Sequence, residues 1–219
     1  LNLSDDIYTP LRTGKFKRLF IIILFLWISH SSLAQNDSVS NWSFSLSSFF
    51  YFVPHDVNSA SLIGYANYNR WHLEGRYNYE DRNTVSLFAG YRFETGKKFR
   101  FSATPMLGLI VGNTDAIAPG LELEASYWKL GYYSETEYVI AFIGRQDNFL
   151  YVWGELTINP VSTLNLGLSY QKTRLYQTEF DVQLGMLAKY TFGRWTPAIY
   201  YFNPFTDNDF LIFALSVEF

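Results

Sequence analysis

After about residue 41, apolar and polar residues alternate with a period of two, and no segment holds a helical period. Trp71, Leu73, Gly75, Tyr77 and Tyr79 interleave with His72, Glu74, Arg76, Asn78 and Glu80. Val85, Leu87, Ala89, Tyr91 and Phe93 interleave with Ser86, Phe88, Gly90, Arg92 and Glu94, and the alternation recurs around 164–171 and 180–192. Successive side chains of a strand point to opposite faces, so each segment has one apolar and one polar face. Twelve strands are predicted, at about 42–53, 60–69, 71–80, 84–94, 98–111, 118–127, 130–139, 148–158, 163–173, 179–192, 195–203 and 209–219. Connections after even-numbered strands are tight: Arg70 alone, Thr95 to Lys97, Trp128-Lys129, Asn159 to Ser162, and Gly193-Arg194. Those after odd-numbered strands are mostly longer and more polar, as in Pro54 to Ser59 and Ile140 to Asp147. Pairing across Gly193-Arg194 sets Phe192 against Trp195 and Ala188 against Ile199. A one-residue slip would carry Arg and Glu onto the apolar face, so register is well specified.

The expected fold is all-β: a transmembrane, antiparallel, up-and-down β-barrel of about twelve strands, within a range of about ten to fourteen. A soluble barrel, with the apolar face inside, is the rival. Strands of about 9–11 residues are long enough to cross a bilayer with tilt. Aromatics gather at strand ends. Trp71, Phe93, Phe99, Tyr127, Phe192 and Trp195 lie by the tight turns, and Tyr79, Phe149 and Phe210 are expected in a belt at the other end. The polar face carries Glu74, Arg76, Arg92, Arg100, Glu122, Glu124, Glu135, Glu155, Asp181 and Lys189, too many charges for a dry core. These are the candidate lumen residues. Pairing across Trp128-Lys129 sets Glu122 opposite Glu135, while Arg76, Arg92 and Arg100 come from another sector of the wall. Two arrangements follow: an acidic wall facing a basic one across an open bore, or charges that pair and plug it. Tyr65, Phe88, Tyr133, Tyr151 and Trp153 narrow the same space.

The N-terminal region breaks the pattern. Lys15, Lys17 and Arg18 precede the apolar run Leu19 to Ile28, and Ser32 and Ala34 follow it. The run is about half the length a membrane-spanning helix needs, and its flanks are those of a secretory signal peptide cut after Ala34. The expected division is 1–34, an N-terminal extension and cleaved signal, and 35–219, the barrel. Four basic and two acidic residues leave with the signal, taking the formal charge from −3 to −5. A negative chain argues against a nucleic-acid partner held by a basic face. The absence of cysteine excludes thiol catalysis, disulfides and lipoprotein anchoring.

The last strand has Leu211, Phe213, Leu215, Val217 and Phe219 on one face and stops on phenylalanine. It resembles the C-terminal signature of bacterial outer-membrane β-barrel proteins, and Ala34-Gln35 resembles signal ends in the Bacteroidota. The resemblance is architectural, covers 35–219, and fits short turns at one end with longer loops at the other. It implies a Gram-negative outer-membrane location among envelope lipids, and a porin-like protein. It also implies recognition of Phe219 by the barrel assembly machinery, with the C-terminus on the periplasmic side.

Candidate chemistry is sparse. The histidines after the signal are His55, beside Asp56 and near Ser59 and Ser61, and His72 on the polar face. Adjacency in sequence does not make a triad. Pairing across Arg82 would set His72 level with Arg92, a poor setting for a general base. No metal-ligand spacing, phosphate-binding glycine loop or cofactor motif is present. Asp207 and Asp209 lack the rest of a calcium loop and read as a turn. The expected function is a narrow channel for passive passage of small polar solutes or ions. A structural or assembly-partner barrel with an occluded lumen comes second, and a lipid-modifying enzyme using His55 or His72 third.

Overall fold

The structure, a computed structural model, describes residues 41–54, 58–144, 148–173 and 182–219. The predicted signal, His55, Asp56 and the candidate lumen residue Asp181 lie outside the described residues.

Among the described residues, thirteen strands form one sheet: β1 (Trp42–Phe52), β2 (Ser59–Tyr68), β3 (Trp71–Tyr77), β4 (Thr84–Tyr91), β5 (Phe93–Thr95), β6 (Phe99–Gly112), β7 (Ala116–Tyr127), β8 (Leu130–Ala141), β9 (Phe149–Val161), β10 (Leu164–Lys172), β11 (Gln183–Tyr190), β12 (Trp195–Phe202) and β13 (Phe210–Glu218). β4 and β5 are two parts of one stave. Gly90 pairs with Met106 and Phe93 with Ala103, so the register to β6 runs unbroken across the gap and sets Pro105 opposite Tyr91. Proline has no N–H for the ladder, which is why the pairing lapses there. Twelve staves result, each antiparallel to both neighbours, and β1 against β13 completes the ring with Leu46 opposite Val217. No stave keeps a free edge, as a sheet in lipid requires. No described helix is long and apolar enough to cross a membrane.

The predicted registers Phe192 to Trp195 and Ala188 to Ile199 are present, and Tyr68 pairs with Trp71 across Asn69-Arg70. The Trp128-Lys129 turn forms without glycine because Trp128 itself adopts a left-handed φ of 55°. Lys129 fastens it by donating Nζ to the Pro160 carbonyl at 2.9 Å. The β9–β10 connection is tighter than predicted: β9 runs to Val161, and an irregularity between Leu164 and Leu166 takes up the register.

The β3–β4 hairpin departs from its predicted register. His72 pairs with Gly90 rather than lying level with Arg92, and Arg76 pairs with Ser86. Asn78 and Asn83 both take left-handed φ values, 54° and 53°, and the Asn78 N–H donates to the Thr84 carbonyl at 3.0 Å. Asparagine tolerates that conformation better than most residues, and here it ends the alternation at Tyr77. Tyr79 and Glu80, on opposite faces by simple parity, are both buried.

The outer face is apolar. Leu73, Leu87, Leu107, Leu109, Leu156, Leu168 and Leu184 are exposed along it, and Trp71, Phe93, Phe99, Tyr127, Trp128, Phe192 and Trp195 are exposed beside the short turns. Such a continuous apolar band, rimmed by aromatics, suits lipid rather than water. The belt at the other end is made differently from the expectation. Tyr79 and Phe210 are buried inside and Phe149 packs against the interior clusters, whereas Phe52, Tyr77, Tyr138, Phe142 and Phe205 are among the exposed aromatics there.

Candidate functional site

The lumen is built from the odd-numbered residues of β1 and β2, the even-numbered residues of β3 to β7, the odd-numbered residues of β8 to β11 and the even-numbered residues of β12 and β13. The parity changes at the two-residue turns Asn69-Arg70, Trp128-Lys129 and Gly193-Arg194. Its loop-end half is filled. Tyr51, Ile63, Tyr79, Tyr151, Trp153, Tyr200, Phe202, Phe210 and Ile212 form one buried cluster, and Phe88, Met106, Ile110 and Val139 a second. The Trp153 ring meets Tyr200 edge-on at 5.1 Å and Phe202 at 5.7 Å, while Phe202 stacks on Phe210 at 5.1 Å. Aromatic pairs at these spacings gain beyond area burial. Of the rings predicted to narrow the bore, Phe88, Tyr151 and Trp153 are fully within these clusters, and Tyr65 and Tyr133 pack against the first.

Below the rings lies an ionic layer centred on Arg76, whose side chain is wholly buried. Its Nε donates to Glu74 Oε2 at 2.5 Å, and Nη1 donates to Glu80 at 3.0 Å and to Glu137 at 2.5 Å. Nη2 lies 2.7 Å from Glu135 Oε1. The guanidinium also stands 4.0 Å from the Phe88 ring centroid and 4.7 Å from that of Tyr79. The planar donor fork, flanked by aromatic faces, is what makes arginine suited to this position. Tyr79 and Tyr133 hydroxyls add donors to Glu135 at 2.9 and 3.3 Å, and Tyr133 also donates to Glu122 at 2.8 Å. Ser86 donates to Glu80.

The short-turn half is open. A cavity of about 860 Å³ is lined by Arg92, Glu94, Lys97, Arg100, Glu124 and Glu155 among others. A second, of about 420 Å³, reaches inward past Ser47, Tyr65 and Tyr133 toward Trp153, and shares Glu124, Tyr133 and Glu155 with the first. Charges pair along this vestibule. Arg92 binds Glu94 and Glu124, each at 2.6 Å, Lys189 binds Glu155, and Arg100 Nε donates to Ser126 at 3.2 Å.

The structure thus places Glu74, Arg76, Glu122 and Glu135 in the ionic layer, and Arg92, Arg100, Glu124, Glu155 and Lys189 around the vestibule. Glu122 and Glu135 are directly opposite one another. The basic and acidic sectors do not stand apart: Arg76 and Arg92 reach across to the carboxylates of β7 and β8. Sequence reasoning missed Glu137 and Glu80. Glu137 shares the parity of Glu135 two residues on, a signal that was available. Glu80 shares the alternation of His72, Glu74 and Arg76 and was also legible on the polar face, though it was not among the candidates.

Twelve antiparallel staves closed on themselves, apolar outside and charged within, define the fold of an outer-membrane porin. Among solved structures, the chain is similar to the KdgM porin, with a TM-score of 0.54 at 14% identity, covering 80% of this chain and 98% of that one. The NanC porin gives a TM-score of 0.56 at 13% identity over the same shares. The KdgM porin in complex with disordered oligogalacturonate gives 0.53 at 14%. No protein-family model and no curated protein sequence matches the chain.

Proposed function

We propose that the protein is a porin-like barrel of a Gram-negative outer membrane that gives passive passage to small polar solutes or ions. The observation that carries this reading is the connected vestibule, about 860 and 420 Å³, lined by charged and polar side chains among aromatic rings and enclosed by a wall with an apolar outer face. Among the described residues, glutamates outnumber basic side chains in the lumen, counting Glu74, Glu80, Glu94, Glu122, Glu124, Glu135, Glu137 and Glu155 against Arg76, Arg92, Lys97, Arg100 and Lys189. A ring of carboxylates favours cations and small dipolar solutes and repels polyanions. The KdgM porin is described with oligogalacturonate; an acidic lining makes such an acidic chain a poor cargo here. Outer-membrane lipids surround the apolar band, and Phe219, exposed next to the end of β13, is offered to the barrel assembly machinery.

The aromatic clusters support a second reading, a barrel closed at its loop end that serves a structural or assembly role. A lipid-modifying enzyme finds less support. Both ring nitrogens of His72 are engaged, with Asn67 and Glu74, each at 2.6 Å, and neither faces a hydroxyl nucleophile. Planar-bilayer recording of the folded barrel separates passage from closure. Steady, cation-preferring current is expected, and a folded barrel that carries none would replace the first reading with the second.

A further inference from the structure

His72 and Glu74 on β3 and Glu122 on β7 meet within the ionic layer, all three buried. His72 Nε2, Glu74 Oε1 and Glu122 Oε2 lie within 4.8 Å of one another, the one such group among the described residues. Nε2 is 2.6 Å from Glu74 Oε1 and 3.6 Å from Glu122 Oε2, so Glu122 Oε2 lies beyond hydrogen-bond reach of the imidazole.

Each of the three side chains is held by its other polar atom. His72 Nδ1 lies 2.6 Å from Asn67 Oδ1, which directs Nε2 toward the carboxylates. Glu74 Oε2 accepts from Arg76 Nε at 2.5 Å, and Glu122 Oε1 accepts from the Tyr133 hydroxyl at 2.8 Å. An imidazole oriented through Nδ1, with carboxylates oriented through their outer oxygens, is the support that metal ligands receive.

Charge points the same way. Glu74, Glu80, Glu122, Glu135 and Glu137 are buried here with only Arg76 and His72 as possible cations. Arg76 already contacts four of these glutamates, all except Glu122. Glu137 Oε2, in a residue with no exposed surface, has no hydrogen-bond donor. Buried carboxylates without counter-charge are costly. A proton on His72 would supply one positive charge beside two carboxylates, whereas a divalent ion would supply two.

We propose that His72, Glu74 and Glu122 bind a divalent cation of the zinc class. One nitrogen and two oxygen donors suit zinc, with bonds of about 2.0–2.2 Å and a fourth position for water. Ligand atoms around such an ion stand about 3.3 Å apart, so Glu74 would draw back slightly from the imidazole and Glu122 would close on it. Primary sequence hides the site because its ligands come from staves that are not neighbours. The site stands whether or not the barrel conducts.

The test uses the full barrel folded in detergent, loaded with zinc chloride and desalted, with bound metal measured by plasma mass spectrometry and folding by heat-modifiable gel migration. About one zinc per barrel is expected. Glu122→Gln and His72→Gln should each weaken binding at least about tenfold, while Glu137→Gln and Glu155→Gln retain it. Cobalt(II) in place of zinc should give visible d–d absorption that His72→Gln abolishes. Glu122→Gln keeps an acceptor for Tyr133, so it serves if the histidine variant fails to fold. A folded wild-type barrel without zinc overturns the site. So does zinc held unchanged by Glu122→Gln, or lost equally in Glu155→Gln, which would mark only diffuse attraction to acid.

Discussion

Phe88 lies directly opposite Gly108 on the neighbouring stave, and its ring occupies the space a side chain at 108 would need. A Cβ there would stand 2.3 Å from the ring's Cε1 and Cζ atoms. The same ring supports the Arg76 guanidinium at 4.0 Å. A glycine on one stave therefore sets the position of an arginine two staves away. Gly108→Leu should displace the ring and destabilise the folded barrel by about 1–3 kcal/mol, the range for an overfilled core. Urea unfolding followed by gel migration measures this, and an unchanged midpoint would mean that Phe88 has room elsewhere.

Removing the arginine should do more. Arg76→Ala strands four buried carboxylates, and loss of one side of a buried ion pair costs about 3–5 kcal/mol. Arg76→Lys keeps the charge but not the fork, and should fall between the two. Equal stability of all three barrels would show that the ionic layer does not hold the lumen together.

Trp153 touches Phe49, Tyr200 and Phe202 and donates Nε1 to Glu155 at 3.2 Å, joining the ring cluster to the vestibule. If the ring cluster limits passage, Trp153→Ala should raise single-channel conductance by about twofold or more, since pore width and lining set the current. Conductance unchanged in a folded variant would place the constriction elsewhere.

Phe219 donates its backbone N–H to the Phe44 carbonyl at 2.9 Å, while the residue as a whole is 61% exposed. The side chain therefore contributes little to the finished barrel. Phe219→Ala should refold in detergent like the wild type, yet accumulate less in the outer membrane of cells. Normal accumulation would show that assembly reads another feature.

Alternation placed the staves and most lumen charges without a structure, because a closed sheet has only two faces and a charge on the wrong one meets lipid. Pairings across tight turns were equally legible, as Phe192 with Trp195 shows. Parity fails where the backbone leaves the extended region. At Asn78, a φ of 54° carried Tyr79 from an expected outer belt into the lumen, where it is buried beside Glu80. Parity also says nothing of partners across the bore. Glu122 opposite Glu135 follows from one hairpin, but His72 beside Glu122 and Arg76 beside Glu137 depend on how five staves curve together.

The Arg76–Glu137 pair joins β3 to β8, with the staves β4, β6 and β7 lying between them along the wall. Backbone hydrogen bonds around a barrel fix its perimeter but not its roundness, and a hoop of constant length can still flatten. A tie across the bore acts as a spoke. It sets the distance between two arcs a third of the way round from each other, so the cross-section of this barrel is governed by a chord of the hoop as well as by the number of staves.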